Sequence, residues 1–147
     1  MSAEIQQELR EREKELDGLY SIAELCLRTG LTPRSLLTET IRVLPSAFQY
    51  PNTLRAFARY KDLWIPETPS AANLAHCISA DILGAKAKVG EILAAYEEKD
   101  AVHYGFLHRE RYFLETVGRL LSDTLRRLLA EKKIYRQNQA LKEILYQ

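Results

Sequence analysis

The feature that most constrains this chain is a change of hydrophobic period between Arg42 and Tyr60. Before this stretch the apolar residues recur three and four positions apart, which is the spacing of an amphipathic helix. From Thr53 to Tyr60 one side of the alternating pattern carries Leu, Ala, Ala and Tyr, which is the period of a half-buried strand. Pro45 and Pro51 stand at the join. A chain that is helical at both ends and alternates in the middle is expected to pack a small sheet against helices.

Two helices are predicted before the change of period. The first runs from Ile5 to Cys26, with apolar or small residues four and three positions apart, and Gly30 follows its end. Thr32 then provides a hydroxyl cap immediately before a proline, which is a typical helix start. The second helix is expected to close at Leu44, where the next residue is proline.

A third, long helix is predicted from about residue 108 to Lys133. Its apolar pattern continues through Ile134, Leu141 and Leu145 with the four-three spacing of a coiled-coil seam. Asn138 lies within that seam, where a buried Asn fixes the register and number of partner helices.

Four strands are predicted between the helices, at Thr53–Tyr60, Leu63–Ile65, Asn73–Ile82 and Ala87–Tyr96. The last segment is rich in residues that favour helix, so a helix is its alternative. The predicted fold class is therefore α+β, with a small antiparallel sheet of about four to six strands packed on N- and C-terminal helices. Both terminal helices are expected to extend outward as coiled-coil-like seams.

This pattern divides the chain into three parts. Residues 1–28 are predicted to form a dimerisation helix, residues 29–130 the globular domain, and residues 131–147 a linker helix towards an output domain. A second copy of the chain is the simplest cover for the helical seams. The predicted contact residues of this homodimer are Ile5, Leu9, Leu16, Leu19, Val117, Leu121, Leu128 and Leu145.

The charge balance excludes a strongly basic nucleic-acid binder. Lys and Arg number 21 against 20 Asp and Glu, so the chain has no long-range positive field. No stretch approaches the length of a membrane span. Cys26 and Cys77 are far apart and form no CxxC motif, as expected of free thiols in a reducing compartment. These observations predict a cytoplasmic protein without a membrane partner.

Four short segments resemble the GAF-like sensor domains of bacterial signalling proteins, often joined to histidine kinases. They are Leu19-Tyr20-Ser21-Ile22, Leu44-Pro45, Phe48-Gln49-Tyr50-Pro51 and Gly105-Phe106-Leu107-His108-Arg109-Glu110-Arg111. They occur in the family's order and span roughly residues 19–129. Each motif is weak alone, and together they are specific.

The resemblance implies a sensor and dimerisation module that passes a conformational signal to an output domain such as a histidine kinase. It implies a homodimer, an unidentified small-molecule ligand and no chemistry of its own. The departures from the family pattern fall after Thr68 and around Gly90, in the part of the sheet that would line a pocket. The resemblance therefore carries over no ligand identity.

Residues 22–44 offer an alternative, a helix-turn-helix DNA-binding transcription regulator. Cys26, Gly30 and Leu36 have the spacing of that motif. Against it, Glu39 stands where an apolar residue is expected, and Arg34 is the only basic residue of the would-be recognition helix before residue 42. Nucleic acid is therefore not the expected partner.

Catalytic and metal-binding signatures are absent from the sequence. The three histidines, His76, His103 and His108, have no ligand spacing, and no GxSxG, Walker or GxGxxG run occurs. We expect no enzyme activity, cofactor or metal. Candidate ligand-binding residues are the large sheet residues with some polar capacity, namely Phe57, Trp64, His76 and Tyr96.

Overall fold

The computed structural model describes residues 2–97 and 105–146, and all structural statements below concern these residues. In chain order the elements are α1 (Ala3–Leu27), α2 (Pro33–Val43), a 3-10 helix (Leu44–Ala47), β1 (Leu54–Tyr60), β2 (Leu63–Ile65), α3 (Ala71–Ala75), β3 (Cys77–Leu83), β4 (Lys88–Tyr96) and α4 (His108–Leu145). The predicted α+β class is confirmed, with a single four-stranded sheet in the described part of the chain.

The sheet is antiparallel throughout, in the order β2-β1-β4-β3. The first strand therefore pairs with both the second and the fourth, with Leu54 opposite Tyr96 at one end and Tyr60 opposite Gly90 at the other. A Cβ atom on Gly90 would lie 2.0 Å from the carbonyl oxygen of Arg59. Glycine at this position allows the two central strands to approach each other.

The two faces of the sheet differ in what covers them. The face towards α1, α2 and α4 carries Ala56, Ala58, Ile92 and Ala94, which belong to the main core. Alanines on this face leave room for helices to lie directly on the strands. The outer face carries a smaller buried cluster, formed by Phe57 with two residues of β4.

Helix α4 lies against β3 at very short range. A Cβ atom on Gly118 would come within 2.9 Å of the carbonyl oxygen of Asp81 and 3.1 Å of the Cβ atom of Ala80. One turn later the Ser122 hydroxyl accepts a hydrogen bond from the Leu83 N–H (2.8 Å) and donates one to the Gly118 carbonyl (2.6 Å). The edge strand and the helix are thus joined by both packing and hydrogen bonding.

The predicted start of the third strand is wrong. Residues 71–75 form the short helix α3, and the Ser70 hydroxyl accepts a hydrogen bond from the Asn73 N–H (3.3 Å) at its start. Strand β3 begins only at Cys77. The larger Leu74 and His76 are separated by the small Ala75, but this short alternation does not require a strand, and a serine cap is enough to begin a helical turn.

The helix boundaries before the sheet agree with the predicted ones. Thr32 and Ser35 exchange hydrogen bonds as a capping box at the start of α2, and Gly30 takes a positive φ of 73° in the preceding turn. Residue 28 is the predicted end of the dimerisation helix. The core, however, includes residues before it, because Ile22 and Leu25 of α1 are buried there. The second half of α1 is part of the globular domain.

Candidate functional site

The four predicted ligand-binding residues occupy three separate places. Phe57 is buried on the outer face of the sheet with Trp64 half-buried beside it. Tyr96 is fully buried on the opposite, helix-covered face. His76 is exposed at the C-terminal cap of α3, just before β3, and not within a strand as predicted. Only Phe57 and Trp64 therefore lie next to each other, and of the four residues only Phe57 lines a groove on this face.

The outer-face groove beside Phe57 is a candidate ligand site. Its volume is about 490 Å³, and its lining consists of the start of β1, the segment from Pro66 to Ser70, Asn73 and Glu97. Arg55 of β1 forms an ion pair with Glu97 across it. The groove therefore combines polar and charged side chains with apolar ones, which include Phe57, Pro66 and Pro69.

A ladder of charged side chains crosses the remainder of the outer face. Lys88 lies 3.0 Å from Asp81 and 3.1 Å from Glu91, and Glu91 lies 3.4 Å from Arg59. The hydrogen bonds that the Lys88 ammonium donates to Asp81, and then to Glu91, raise the pKa of Lys88. The ladder joins β3, β4 and β1 across the outer face.

Tyr96 is fully buried in the main core. Its ring stacks on Phe106 at a centroid distance of 4.8 Å and meets Tyr50 edge-on at 6.3 Å. Burial, with a smaller contribution from the Glu110 charge, raises the pKa of its phenol far above the usual value. The side chain is therefore neutral at physiological pH.

Glu110 is a buried charged residue that the sequence motifs did not single out as a site. Its carboxylate accepts hydrogen bonds from the Leu107 N–H (2.7 Å) and from the Gln49 N–H (2.8 Å). Phe48 packs edge-on against Phe106 in the same region. The contacts bring together the segments 48–51 and 105–111, which are two of the four that resemble the GAF-like family.

The predicted dimer residues divide according to exposure. Ile5, Leu9, Leu16 and Leu145 are exposed, and Leu16 and Leu145 are 58% and 75% exposed. Leu19 and Leu128 are half-buried against the core. Val117 and Leu121 are 0% exposed within one chain, so the prediction that they contact a second copy is wrong. Their positions lie on the seam, but the sheet already covers that part of α4.

Two exposed tyrosines extend the apolar surface and were missed by the sequence argument. Tyr20 is 71% exposed on α1, and Tyr112 is 62% exposed on α4. Tyr20 follows Leu16 by four residues, so the helical period was a usable signal. Between the two helices lies a groove of about 360 Å³ that includes Leu16, Leu19 and Tyr112.

Glu15 borders this groove and contacts Arg109 of α4 at 3.3 Å. Burial raises the pKa of the Glu15 carboxyl, and the Arg109 charge opposes that shift only in part. The pair joins α1 to α4 at the edge of the apolar surface.

The last part of α4 projects from the domain. Every residue from Leu129 to Tyr146 is exposed. The helix from Leu129 to Leu145 is about 25 Å long at 1.5 Å per residue. Its exposed apolar residues are Leu129, Ile134, Tyr135, Leu141, Ile144 and Leu145.

The helix-turn-helix segment is built into the domain. Leu36, Leu37 and Thr40 of α2 are buried, and the helix lies against β1, β2 and the 3-10 helix. Of its exposed cations, Arg42 forms an ion pair with Glu39 at 3.1 Å. Arg34 is the remaining exposed cation of α2.

Groups suited to metal binding and membrane insertion are not found in the described ranges. Within residues 2–97 and 105–146, no three His, Cys, Asp or Glu side chains are grouped so as to hold a metal ion. No helix in these ranges has a stretch both long and apolar enough to cross a bilayer. His108 is exposed, and His103 lies outside the described residues.

Known proteins provide no match to this chain. No protein-family model matches it, and neither a curated protein nor a solved structure does so. Any statement of function therefore depends on the residues and contacts described above.

Proposed function

We propose that this chain is a cytoplasmic signal-sensing and dimerisation module, similar to GAF-like sensor domains, that regulates an output partner such as a histidine kinase. The observation that carries the proposal is the division of α4. Its first half is buried against the sheet, and its second half projects with an apolar surface. One continuous helix thus connects the globular domain to whatever covers the projecting segment.

The contacts of β3 support a route for the signal. On the outer face, Asp81 of β3 pairs with Lys88 of β4. On the inner face, the carbonyl of the same Asp81 lies against Gly118, and Leu83 bonds to Ser122. A ligand in the outer-face groove that shifts the sheet would therefore displace α4, because helix and strand are too close to move independently.

The exposed apolar residues of the helices support a second copy as the cover. The surface runs along α1 through Leu9, Leu16 and Tyr20 and continues on α4 with Tyr112. A self-complementary contact of this kind is what a two-fold dimer uses. Asn138 lies in the projecting seam, where pairing of two asparagines would favour two strands.

The dimer is tested by replacing Leu9 and Leu16 together with glutamate. Two buried charges in the contact should dissociate the dimer, because unpaired charges are costly to remove from water. Sedimentation equilibrium measures the change in assembly. The control replaces Leu74 with glutamate, because Leu74 is 47% exposed and lies on the short helix α3, outside α1 and α4. An unchanged mass for the Leu9 and Leu16 variant would contradict the proposal.

We further propose that the two projecting helices run parallel, since an output partner joined to both copies needs both helices to point the same way. An Asn138→Cys variant should then form a disulfide between copies under mild oxidation. Arg136→Cys is the control, because residue 136 lies on a different side of the helix from residue 138. Cross-linking at residue 136 alone would contradict the parallel seam.

The helix-turn-helix alternative makes a different prediction. It requires duplex DNA binding that weakens with salt and with Arg34→Gln. We expect no such binding at low salt, since α2 is buried on one side by the domain and has few unpaired cations. Fluorescence anisotropy with a labelled duplex distinguishes the two proposals.

A further inference from the structure

A second cleft lies where α4 leaves the domain, on a different part of the molecule from the outer-face groove. It has a volume of about 840 Å³ and is bounded by the turn between α1 and α2 on one side and by α4 on the other. Its apolar lining includes Leu27, Leu31, Leu128, Leu129 and Tyr135. Leu27 is 76% exposed at the end of α1, which leaves a large apolar side chain available to a bound molecule.

Of the charged side chains that line this cleft, some have ion-pair partners and others do not. Arg127 forms an ion pair with Glu131 at 3.5 Å, and its guanidinium also donates to the Cys26 carbonyl at the end of α1. Arg28 and Lys132 also line the cleft, and neither has an ion-pair partner within residues 2–97 and 105–146. Two unpaired cations therefore flank an apolar lining.

The size and charge of the cleft determine what fits it. Small-molecule sites usually have volumes of about 300–1,000 Å³, with a mostly apolar lining and a few polar groups that orient the ligand. Among the residues that the structure describes, Glu131 is the only acidic side chain in the lining, and it is already paired with Arg127. The surplus positive charge favours a ligand with an anionic group, and the leucines favour a ligand that also has an apolar part.

We propose that this cleft binds a small amphipathic anion, with its acid group between Arg28 and Lys132 and its apolar body on the leucines. Such a ligand contacts both the turn after α1 and the first projecting turn of α4. It would hold α4 at a fixed direction relative to the domain. This consequence for signalling rests on the proposed function, whereas the binding itself does not.

Two dyes of matched shape test the site. The anionic probe is 1-anilinonaphthalene-8-sulfonate, and the neutral control is N-phenyl-1-naphthylamine, which has the same rings without the sulfonate. We expect one bound sulfonate dye per chain. In the Arg28→Gln/Lys132→Gln variant its Kd should rise about tenfold, which corresponds to two exposed charge contacts of about 0.7 kcal/mol each.

The control variant is Arg34→Gln/Lys133→Gln, which removes the same charge at exposed positions outside the cleft. Its affinity for the anionic dye should stay within twofold of the natural chain. The neutral dye should bind all three proteins equally, which separates loss of charge from loss of folding. Equal weakening in both double variants, or equal weakening of both dyes, would overturn the proposal.

Two further measurements exclude other occupants. Vesicles of phosphatidylglycerol should not sediment the protein, and sedimentation that depends on Arg28 and Lys132 would assign the cleft to a membrane surface instead. The dye Kd should not depend on protein concentration, and a rise with concentration would assign the cleft to a second copy. The Leu9→Glu/Leu16→Glu variant should bind the dye normally, so loss of the dimer and loss of this site are distinguishable.

Discussion

The two halves of α4 both carry apolar residues at helical spacing, but their surroundings are opposite. From His108 to Leu128 the helix buries Phe113, Leu114 and Leu125 against the sheet and the other helices, whereas from Leu129 onward every described residue is exposed. Leucines occur at helical spacing in both halves. The difference shows that an apolar stripe identifies a contact surface without identifying its partner. For the first half of α4 the partner is this domain. For the second half, we propose, it is another molecule.

The largest test of this comparison is a matched pair of leucine truncations. Leu121→Ala removes a fully buried side chain and should lower the free energy of unfolding by about 2–5 kcal/mol. Leu141→Ala, in the projecting half, should change it by less than about 0.5 kcal/mol when the protein is dilute. Urea denaturation of both variants measures the difference. Equal losses of unfolding free energy in the two variants would mean that the projecting half is packed against its own domain.

A second test concerns the close approach of α4 to β3. Gly118→Ala places a Cβ atom against the Asp81 carbonyl and Ala80, and we expect a loss of about 1–3 kcal/mol from this overpacking. Gly105→Ala is the control, because a Cβ atom added there would have open space within 4 Å among the described residues. A tolerated Gly118→Ala would show that the helix can move off the strand without cost, which would weaken the proposed signal route.

The start of the buried half is tested at Glu110. Replacing it with glutamine keeps the shape but puts an amide N–H₂ opposite one of the two backbone N–H donors, from Leu107 and Gln49. One buried donor then lacks an acceptor, which should cost about 1–2 kcal/mol. Thermal unfolding measures the loss. No change in Tm would indicate that the segments 48–51 and 105–111 are joined by aromatic packing alone.

The smallest expected effect is the pH dependence due to Glu15. Burial raises the pKa of this carboxyl in the folded chain, so the folded state keeps the proton to a higher pH than the unfolded state. Stability from this group is therefore present at low pH and is lost as the pH rises through the folded pKa. Relative to the natural chain, Glu15→Gln should gain in Tm between about pH 4 and pH 7.

Glu8→Gln provides the reference for that measurement. Glu8 is exposed and forms no ion pair with any other described residue. Its variant should follow the natural chain at each pH. A Glu15→Gln variant that loses stability towards neutral pH would show that the contact with Arg109 outweighs the cost of burial.

Local patterns were sufficient to predict most elements. The switch from helical spacing to alternation located β1, and a hydroxyl before a proline located the start of α2 at Thr32. These signals work because each depends on neighbouring residues in the chain. Alternation failed at residues 73–76, where a serine cap at Ser70 begins a helical turn instead.

The candidate ligand site was harder to predict than the elements. Alternation correctly places Phe57 and its neighbours in β1 on opposite faces of the sheet, but it does not indicate which face the helices cover. Tyr96 is on the covered face, and Phe57 is on the other. The cleft near Leu27 joins residues about 100 positions apart in the chain, and no local pattern contains that proximity.

The sequence by itself determined where the chain is helical, where it is extended, and which residues form apolar stripes, because those properties depend on spacing along the chain. Only the tertiary structure decided that Val117 and Leu121 are buried while Leu141 and Leu145 are exposed. The physical reason is that burial depends on what lies opposite a residue. The domain covers α4 only as far as Leu128, and every described residue after it is exposed.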